Sequence, residues 1–276
     1  MITGIIFSKD RPAQLQACIE SIHKNAPGIF DLNVLFTASD NSFQRGYNLL
    51  RSEKPQATMF KEQKPEYGFK ESLMYILKEH TKQDELFCFF TDDSILYRKM
   101  EASYEEIENL FNIDQAMCLS LRLGENTYIQ NPYKKTISET PKNCAWIHDR
   151  FMGWEWYLLP SSSNFGYPFS VDGHVYRKSD MIEILDSYGY DTPNSLEGRF
   201  PVGTQLFPLM CSFKESVLVN TPINIVGSSE NQSGEFYGIS LKELNDKYID
   251  GKRINIDKMD FSNIVGCHQE VELVFE

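Results

Sequence analysis

The sequence predicts an α/β fold with a mostly parallel central sheet flanked by helices, and three observations predict it. Short apolar runs alternate with amphipathic stretches through the first 95 residues. Each of the clearest runs stops abruptly at a cluster of polar residues. The chain, at 276 residues, is long enough to enclose a full core. Alternation of this kind packs helices onto a parallel sheet through right-handed crossovers.

The elements follow in order. Ile2–Ser8 is an apolar run ending in polar residues, as a buried parallel strand does. Pro12 suits the first turn of a helix, whose Leu15, Cys18, Ile19 and Ile22 share one face. Leu32–Phe36 is a second buried strand, followed by a polar loop over Ser39–Ser42. Residues 43–51 read as a helix and Ala57–Phe60 as a third strand. The next helix carries Phe69, Leu73, Ile76 and Leu77 on one side. Leu86–Phe90 is a fourth, almost wholly apolar strand that ends at Thr91–Asp92–Asp93–Ser94. Ligands of such sheets bind beyond the carboxyl ends of the strands. Ser8–Arg11, Ser39–Ser42 and Thr91–Ser94 are all expected there.

The remainder is less periodic. Ser103 and Glu106 form a capping-box pattern ahead of Ile107, Leu110 and Phe111. Met117–Leu121 reads as a strand. Residues 124–168 have no clear period and read as long loops, which in compact domains are often functional. Phe169–Arg177 is strand-like, residues 179–188 helical, and Asn194–Met210 helical in part. Val217–Val219 and Ile223–Val226 read as short strands, Ser240 and Glu243 as a second capping box, and Val271–Phe275 as a closing strand. Neither a repeat nor a linker is visible, so a single domain over residues 1–276 is expected.

Composition excludes several classes. A net charge of −12 with no basic stripe argues against a general nucleic-acid binder, which must neutralise phosphates. No apolar run approaches the roughly 20 residues of a transmembrane segment, and the start lacks the pattern of a signal peptide. The six cysteines show no CxxC spacing and read as reduced thiols in a cytoplasmic protein.

Asp92–Asp93 is the strongest chemical signal. Adjacent carboxylates at the end of an apolar strand are unfavourable unless a cation meets them. Mg²⁺ or Mn²⁺ would resolve that repulsion and could be shared with substrate phosphates. The competing reading is a plain strand-end turn, where Asp and Ser are common.

The string IIFSKDRP over Ile5–Pro12 resembles the opening strand and loop of family-2-like GT-A glycosyltransferases. TDDS over Thr91–Ser94 resembles their DXD-type motif. SVDGHVYRKSDM over Ser170–Met181 resembles the later strand whose glycine loop lines the donor sugar. The resemblance spans roughly residues 1–210 and implies a GT-A-type fold, with residues 1–120 as nucleotide-binding half and 121–276 as acceptor-side half and C-terminal extension. It implies that Ser8, Asp10, Arg11 and Asp40 contact the nucleotide, that Asp92 holds ribose or metal, and that Asp93 ligates the metal. Asp172 and Gly173 would face the transferred sugar. Glu197 matches the Glu of the family's acceptor-side Glu-Asp pair, but Gly198 stands where its catalytic Asp belongs. Glu197 first, or Asp172, must then serve as base, or the mechanism differs. His268, in Gly266–Gln269, is the candidate for a C-terminal metal ligand.

The implied reaction moves a sugar from a UDP- or GDP-sugar-class donor to a saccharide or other hydroxyl acceptor, with Mn²⁺ or Mg²⁺ and with inversion. Two alternatives stay open: a nucleotidyltransferase, disfavoured because Ser8–Pro12 contains no glycine, and a binding module on a degenerate transferase scaffold. Three tryptophans, Trp146, Trp154 and Trp156, either stack on an acceptor or anchor the middle loops.

Overall fold

A computed structural model describes residues 1–53, 59–63, 67–79, 86–201, 207–226 and 233–276. The first half follows the expected alternation. Strand β1 (Ile2–Lys9) leads to helix α1 (Pro12–Asn25), β2 (Phe30–Thr37) to α2 (Asn41–Ser52), and β3 (Met59–Glu62) to α3 (Phe69–Glu79). Then come β4 (Leu86–Thr91), a short β5 (Ser94–Leu96), α4 (Tyr104–Asn112) and β6 (Ala116–Ser120). The second half contains β7 (Ile129–Asn131), β8 (Thr136–Ile137), β9 (Ala145–Ile147), β10 (Phe151–Glu155) and β11 (His174–Arg177). It continues through α5 (Lys178–Ser187), α6 (Pro193–Gly198), β12 (Leu209–Phe213), β13 (Leu218–Asn220) and α7 (Leu241–Ile249).

Nine strands form the main sheet in the order β3-β2-β1-β4-β11-β6-β12-β10-β9. The strands β3, β2, β1 and β4 are parallel, as are β6 and β12, whereas β11 and β10 run antiparallel to their neighbours. The period of two along each strand sorts side chains between two cores. Ile2, Ile6, Val34, Phe36, Cys88 and Phe90 face the layer built from α1, α2 and α7. Ile5, Phe7, Leu35, Phe87 and Phe89 face the layer built from α3 and α5. Because β1, β2 and β4 are covered on both faces, their sequences read as continuous apolar runs.

Several sequence expectations need correction. The Ser39–Ser42 loop is the start of α2: Asp40 is its N-cap and accepts from the Ser42 and Phe43 amides. Phe169–Gly173 is not strand; only His174–Arg177 pairs. The supposed loops over 124–168 contain β10, a full member of the main sheet. Its apolar residues Phe151, Met152 and Trp154 are buried without an alternating pattern, because both faces of the strand are covered. Part of Asn194–Met210 is helix α6, but Leu209 and Met210 open β12, and 202–206 lie outside the described residues. Ile223–Val226 forms no strand, and Val271–Phe275 contributes only a bridge between Ile254 and Phe275. Both capping signals mark real helix starts: Ser103 and Glu106 bond reciprocally at α4, and Ser240 accepts from the Glu243 amide at α7. Among the described residues no helix is long and apolar enough to cross a membrane. All six cysteines are free thiols.

Candidate functional site

A cleft of about 1350 Å³ opens at the carboxyl ends of β1, β2 and β4. The first strand ends at Lys9, and Asp10 then adopts a left-handed φ of 58°, a region a non-glycine residue occupies rarely and Asp more readily than most. The Asp10 carboxylate accepts from the Ser39 amide at 2.7 Å, tying this loop to the one after β2. That turn presents Arg11, immediately before α1, to the cleft. Its amide donates to the Tyr47 hydroxyl at 3.2 Å, and the same hydroxyl pairs with Ser8 Oγ at 2.7 Å.

Beyond β4 the acidic doublet meets a cation supplied by the chain itself. Arg11 Nη1 lies 3.0 Å from Asp92 Oδ1 and 3.1 Å from Asp93 Oδ2. The guanidinium is held from behind: Nε donates to Asn224 Oδ1 at 2.7 Å and Nη2 to the Asn224 carbonyl at 2.6 Å. Asp92 Oδ2 accepts from the Lys9 amide at 3.2 Å. Asp93 Oδ1 accepts from Thr91 Oγ1 at 2.7 Å and from Asn220 Nδ2 at 3.3 Å. Burial dominates at Asp92 and, despite Arg11, lifts its pKa to about 6; the charge on Asp93 pushes the same way.

A second acidic cluster comes from the other half. Asp172 and Gly173 form the bend before β11; Gly173 has φ 68°, and a Cβ there would press Leu218 at 3.1 Å. Both constraints call for glycine. Asp172 Oδ1 accepts from Thr91 Oγ1 at 2.9 Å and from Asn220 Nδ2 at 3.3 Å. The Thr91 hydroxyl has one proton, so it serves Asp93 or Asp172 at any moment, and Asn220 bonds both clusters. Glu197 projects from α6, a short helix that Pro193 and a Thr192–Ser195 capping box begin. Burial, and then the neighbouring Asp172, raise the Glu197 pKa, while Arg122 opposes them. Arg122 is almost fully buried just past β6; its Nη1 reaches His268 Nε2 at 2.7 Å and lies 3.6 Å from Asp172 Oδ2. Arginine can only donate, so this contact needs an unprotonated His268 Nε2; against burial, Cys267 beside the ring favours the protonated form and raises the His268 pKa to about 9.

Ser8, Arg11, Asp92, Asp93, Asp172, Glu197 and His268 therefore line one cleft. Asp10, Asp40 and Gly173 do not line it: Asp10 braces the loop, Asp40 caps α2, and Gly173 shapes the bend. His268 faces Arg122 and Asp172. Among the described residues no group of three or more His, Cys, Asp or Glu is arranged to hold a metal by protein ligands alone. Gly198 is exposed, and a Cβ there would meet nothing within 4 Å. Trp154 and Trp156 are loop anchors, donating to the Phe165 and Phe207 carbonyls, and Trp146 lies half exposed outside the cleft.

Sequence reasoning missed Arg122, Asn220 and Asn224. Arg122 had a signal, since a charge just past an apolar strand is the same pattern that marked Asp92. The two asparagines had none, because only the fold brings residues 220–224 beside residues 11 and 91–93.

No protein-family model matches the chain. Its sequence is 26% identical over 225 residues to the bifunctional glycosyltransferase pgtA of Dictyostelium discoideum, covering 72% of this chain and 28% of that protein. The chain thus spans 28% of the length of the curated relative it matches. Among solved structures, TarS of S. aureus gives a TM-score of 0.48 at 11% identity, over 79% of this chain and 36% of TarS. TarS 1–349 in complex with UDP gives 0.48 at 10% identity, over 79% of this chain and 59% of that one. Over most of its length the chain is thus similar in sequence to part of a glycosyltransferase, on a parallel-rich α/β sheet that carries its acidic doublet at the carboxyl edge.

Proposed function

We propose that the chain is a metal-dependent glycosyltransferase that moves a sugar from a nucleoside-diphosphate sugar to a hydroxyl acceptor with inversion. One observation carries this reading. A single cleft at the carboxyl edge of the sheet holds two acidic clusters, one gripping a cation and the other containing a half-buried carboxyl of raised pKa.

The donor set fits a divalent cation. One oxygen from each carboxylate of the doublet converges on a single cationic nitrogen. Mg²⁺ and Mn²⁺ are commonly held by one or two carboxylates, with substrate phosphates completing the shell. Charge supports the same conclusion. Lys9, Arg11, Arg122 and Lys134 line the cleft among the described residues, and five carboxylates oppose them. A nucleoside diphosphate would enter a surface without surplus positive charge. A bound divalent cation supplies that charge and stabilises the leaving diphosphate. Asp92 and Asp93 would hold it. His268 is committed to Arg122, so in this reading it orients that arginine.

Residues 1–120 bind the donor, with Ser8 and Arg11 beside the nucleotide, and residues 121–276 supply the acceptor side. Glu197 removes the acceptor hydroxyl proton. Its raised pKa brings it nearer working pH, and a positioned base contributes roughly 10²–10⁴-fold. Asp172 is less suited, because both its oxygens already face donors or cations. Six free thiols suit a reducing, cytoplasmic setting.

The test is a thermal-shift screen of nucleoside diphosphates with and without Mn²⁺, followed by turnover of the matching nucleotide sugars. Stabilisation by one base only with metal, together with released nucleotide, supports the reading. Stabilisation without turnover on any acceptor would leave a binding module; no stabilisation by any nucleotide would remove the donor site.

A further inference from the structure

The bridge between Arg11 and the acidic doublet has more structure than a stray surface ion pair. The Arg11 side chain is 10% exposed and those of Asp92 and Asp93 are 4% and 12% exposed. Two contacts from Asn224 fix the far side of the guanidinium, and Asn224 is itself fixed by the Ile239 carbonyl at 3.3 Å. Tyr47 holds the Arg11 amide, and the left-handed Asp10 fixes the backbone just before it. The chain therefore holds a monovalent cation at the point where the two carboxylates converge. A guanidinium nitrogen and a divalent ion cannot share that point.

Resting on the proposed donor site, we infer that Arg11 is an internal place-holder for the divalent cation, so that metal and nucleoside diphosphate bind with positive coupling. Without a ligand Arg11 offsets one of the doublet's two negative charges, which reduces the repulsion between two buried carboxylates. Metal alone must displace a charge-assisted, doubly anchored pair and binds weakly. Arg11 also lines the cleft, so an arriving diphosphate offers the released guanidinium a second anionic partner. Each ligand then lowers the cost of binding the other, and this reciprocity is required by linkage. The device guards against idle loading: the chain takes up metal chiefly when donor is present.

The test titrates Mn²⁺ alone into the full chain, following the electron paramagnetic resonance signal of the free ion, for wild type, Arg11→Met and Asp93→Asn. Removing charge-assisted bonds of this kind should tighten Mn²⁺ binding by about 10- to 100-fold in Arg11→Met. Titration in the presence of UDP or GDP should tighten wild type far more than Arg11→Met. Equal Mn²⁺ affinity in wild type and Arg11→Met, abolished by Asp93→Asn, would overturn the place-holder while leaving the metal site standing. Absence of Mn²⁺ binding in every variant, with or without nucleotide, would overturn both. Should Arg11→Met fail to fold, Asn224→Ala decides. It keeps the charge but removes one anchor, so Mn²⁺ should bind severalfold tighter, and a folded Asn224→Ala with wild-type affinity would overturn the inference.

Discussion

Two carboxylate pairs face the same cleft, each beside one buried arginine, and they are built differently. At Asp92–Asp93 every carboxylate oxygen has a protein donor, and Arg11 closes on both groups at 3.0 and 3.1 Å. At Asp172–Glu197 the arginine is more distant, 3.6 Å from Asp172 and turned toward His268. The first pair springs from a strand end in a parallel sheet covered on both faces. The second comes from a glycine bend and a six-residue helix. A rigid, fully bonded pair suits holding a charge in place. A carboxyl pushed up by burial and by a like-charged neighbour suits taking up a proton. In the proposed reading that difference divides the roles: charge on the β1–β4 side, proton transfer on the other.

The sharpest way to break that assignment is Glu197→Gln. If proton removal resides there, kcat falls by about 10²–10⁴-fold while donor affinity is preserved. Loss of donor binding with unchanged kcat would exchange the roles of the two pairs. Next is Asp93→Ala, which should abolish the Mn²⁺-dependent stabilisation by nucleoside diphosphate, a gain of about 2.7 kcal/mol at a ligand concentration of 100 Kd in wild type. A retained shift would place the metal elsewhere. A smaller effect is expected at Arg122. Glu197 must be ionised to act, so kcat/KM falls as pH drops through its raised pKa. Arg122 opposes that rise. Arg122→Gln should therefore move the acid limb of the kcat/KM profile to higher pH, and an unmoved limb would uncouple Arg122 from the base.

The same asymmetry governs what the sequence discloses. Strands β1, β2 and β4 and helices α1 and α3 are legible because two-sided burial leaves unbroken apolar runs, and helical faces repeat with period 3.6. The doublet is legible because charge at the end of such a run is anomalous. The family resemblance places Asp40 at the nucleotide, but an Asx residue after β2 is also what a helix start requires, and its carboxylate caps α2. The second half hides its strands. The run Phe151–Trp154 is short, sits among Trp, Tyr and Pro, and pairs with a strand nearly sixty residues later, so no local pattern announces it. Arg11 and Asn224 lie 213 residues apart, and only the closed fold makes Arg11 the partner of its own acidic doublet.

The smallest expected effect tests the electrostatics of the doublet without any ligand. Asp92 carries a folded pKa of about 6 against an ordinary value of 3.8. The folded state therefore binds more proton than the unfolded chain between those values, and stability due to this group falls as pH rises through that window. The slope is at most about 1.4 kcal/mol per pH unit for one proton. Groups with lowered pKa act in the opposite sense: Glu270, which accepts from Tyr133 and three backbone amides, adds stability that is lost as pH falls. Absolute stability thus mixes both signs, and the difference between wild type and Asp92→Asn isolates one. Denaturant midpoints from pH 4 to 6.5 should show the asparagine variant gaining on wild type as pH rises, then running parallel to it. Parallel curves throughout would mean that Arg11 outweighs burial and holds Asp92 ionised, which would make the Arg11 pair tighter than the place-holder role allows.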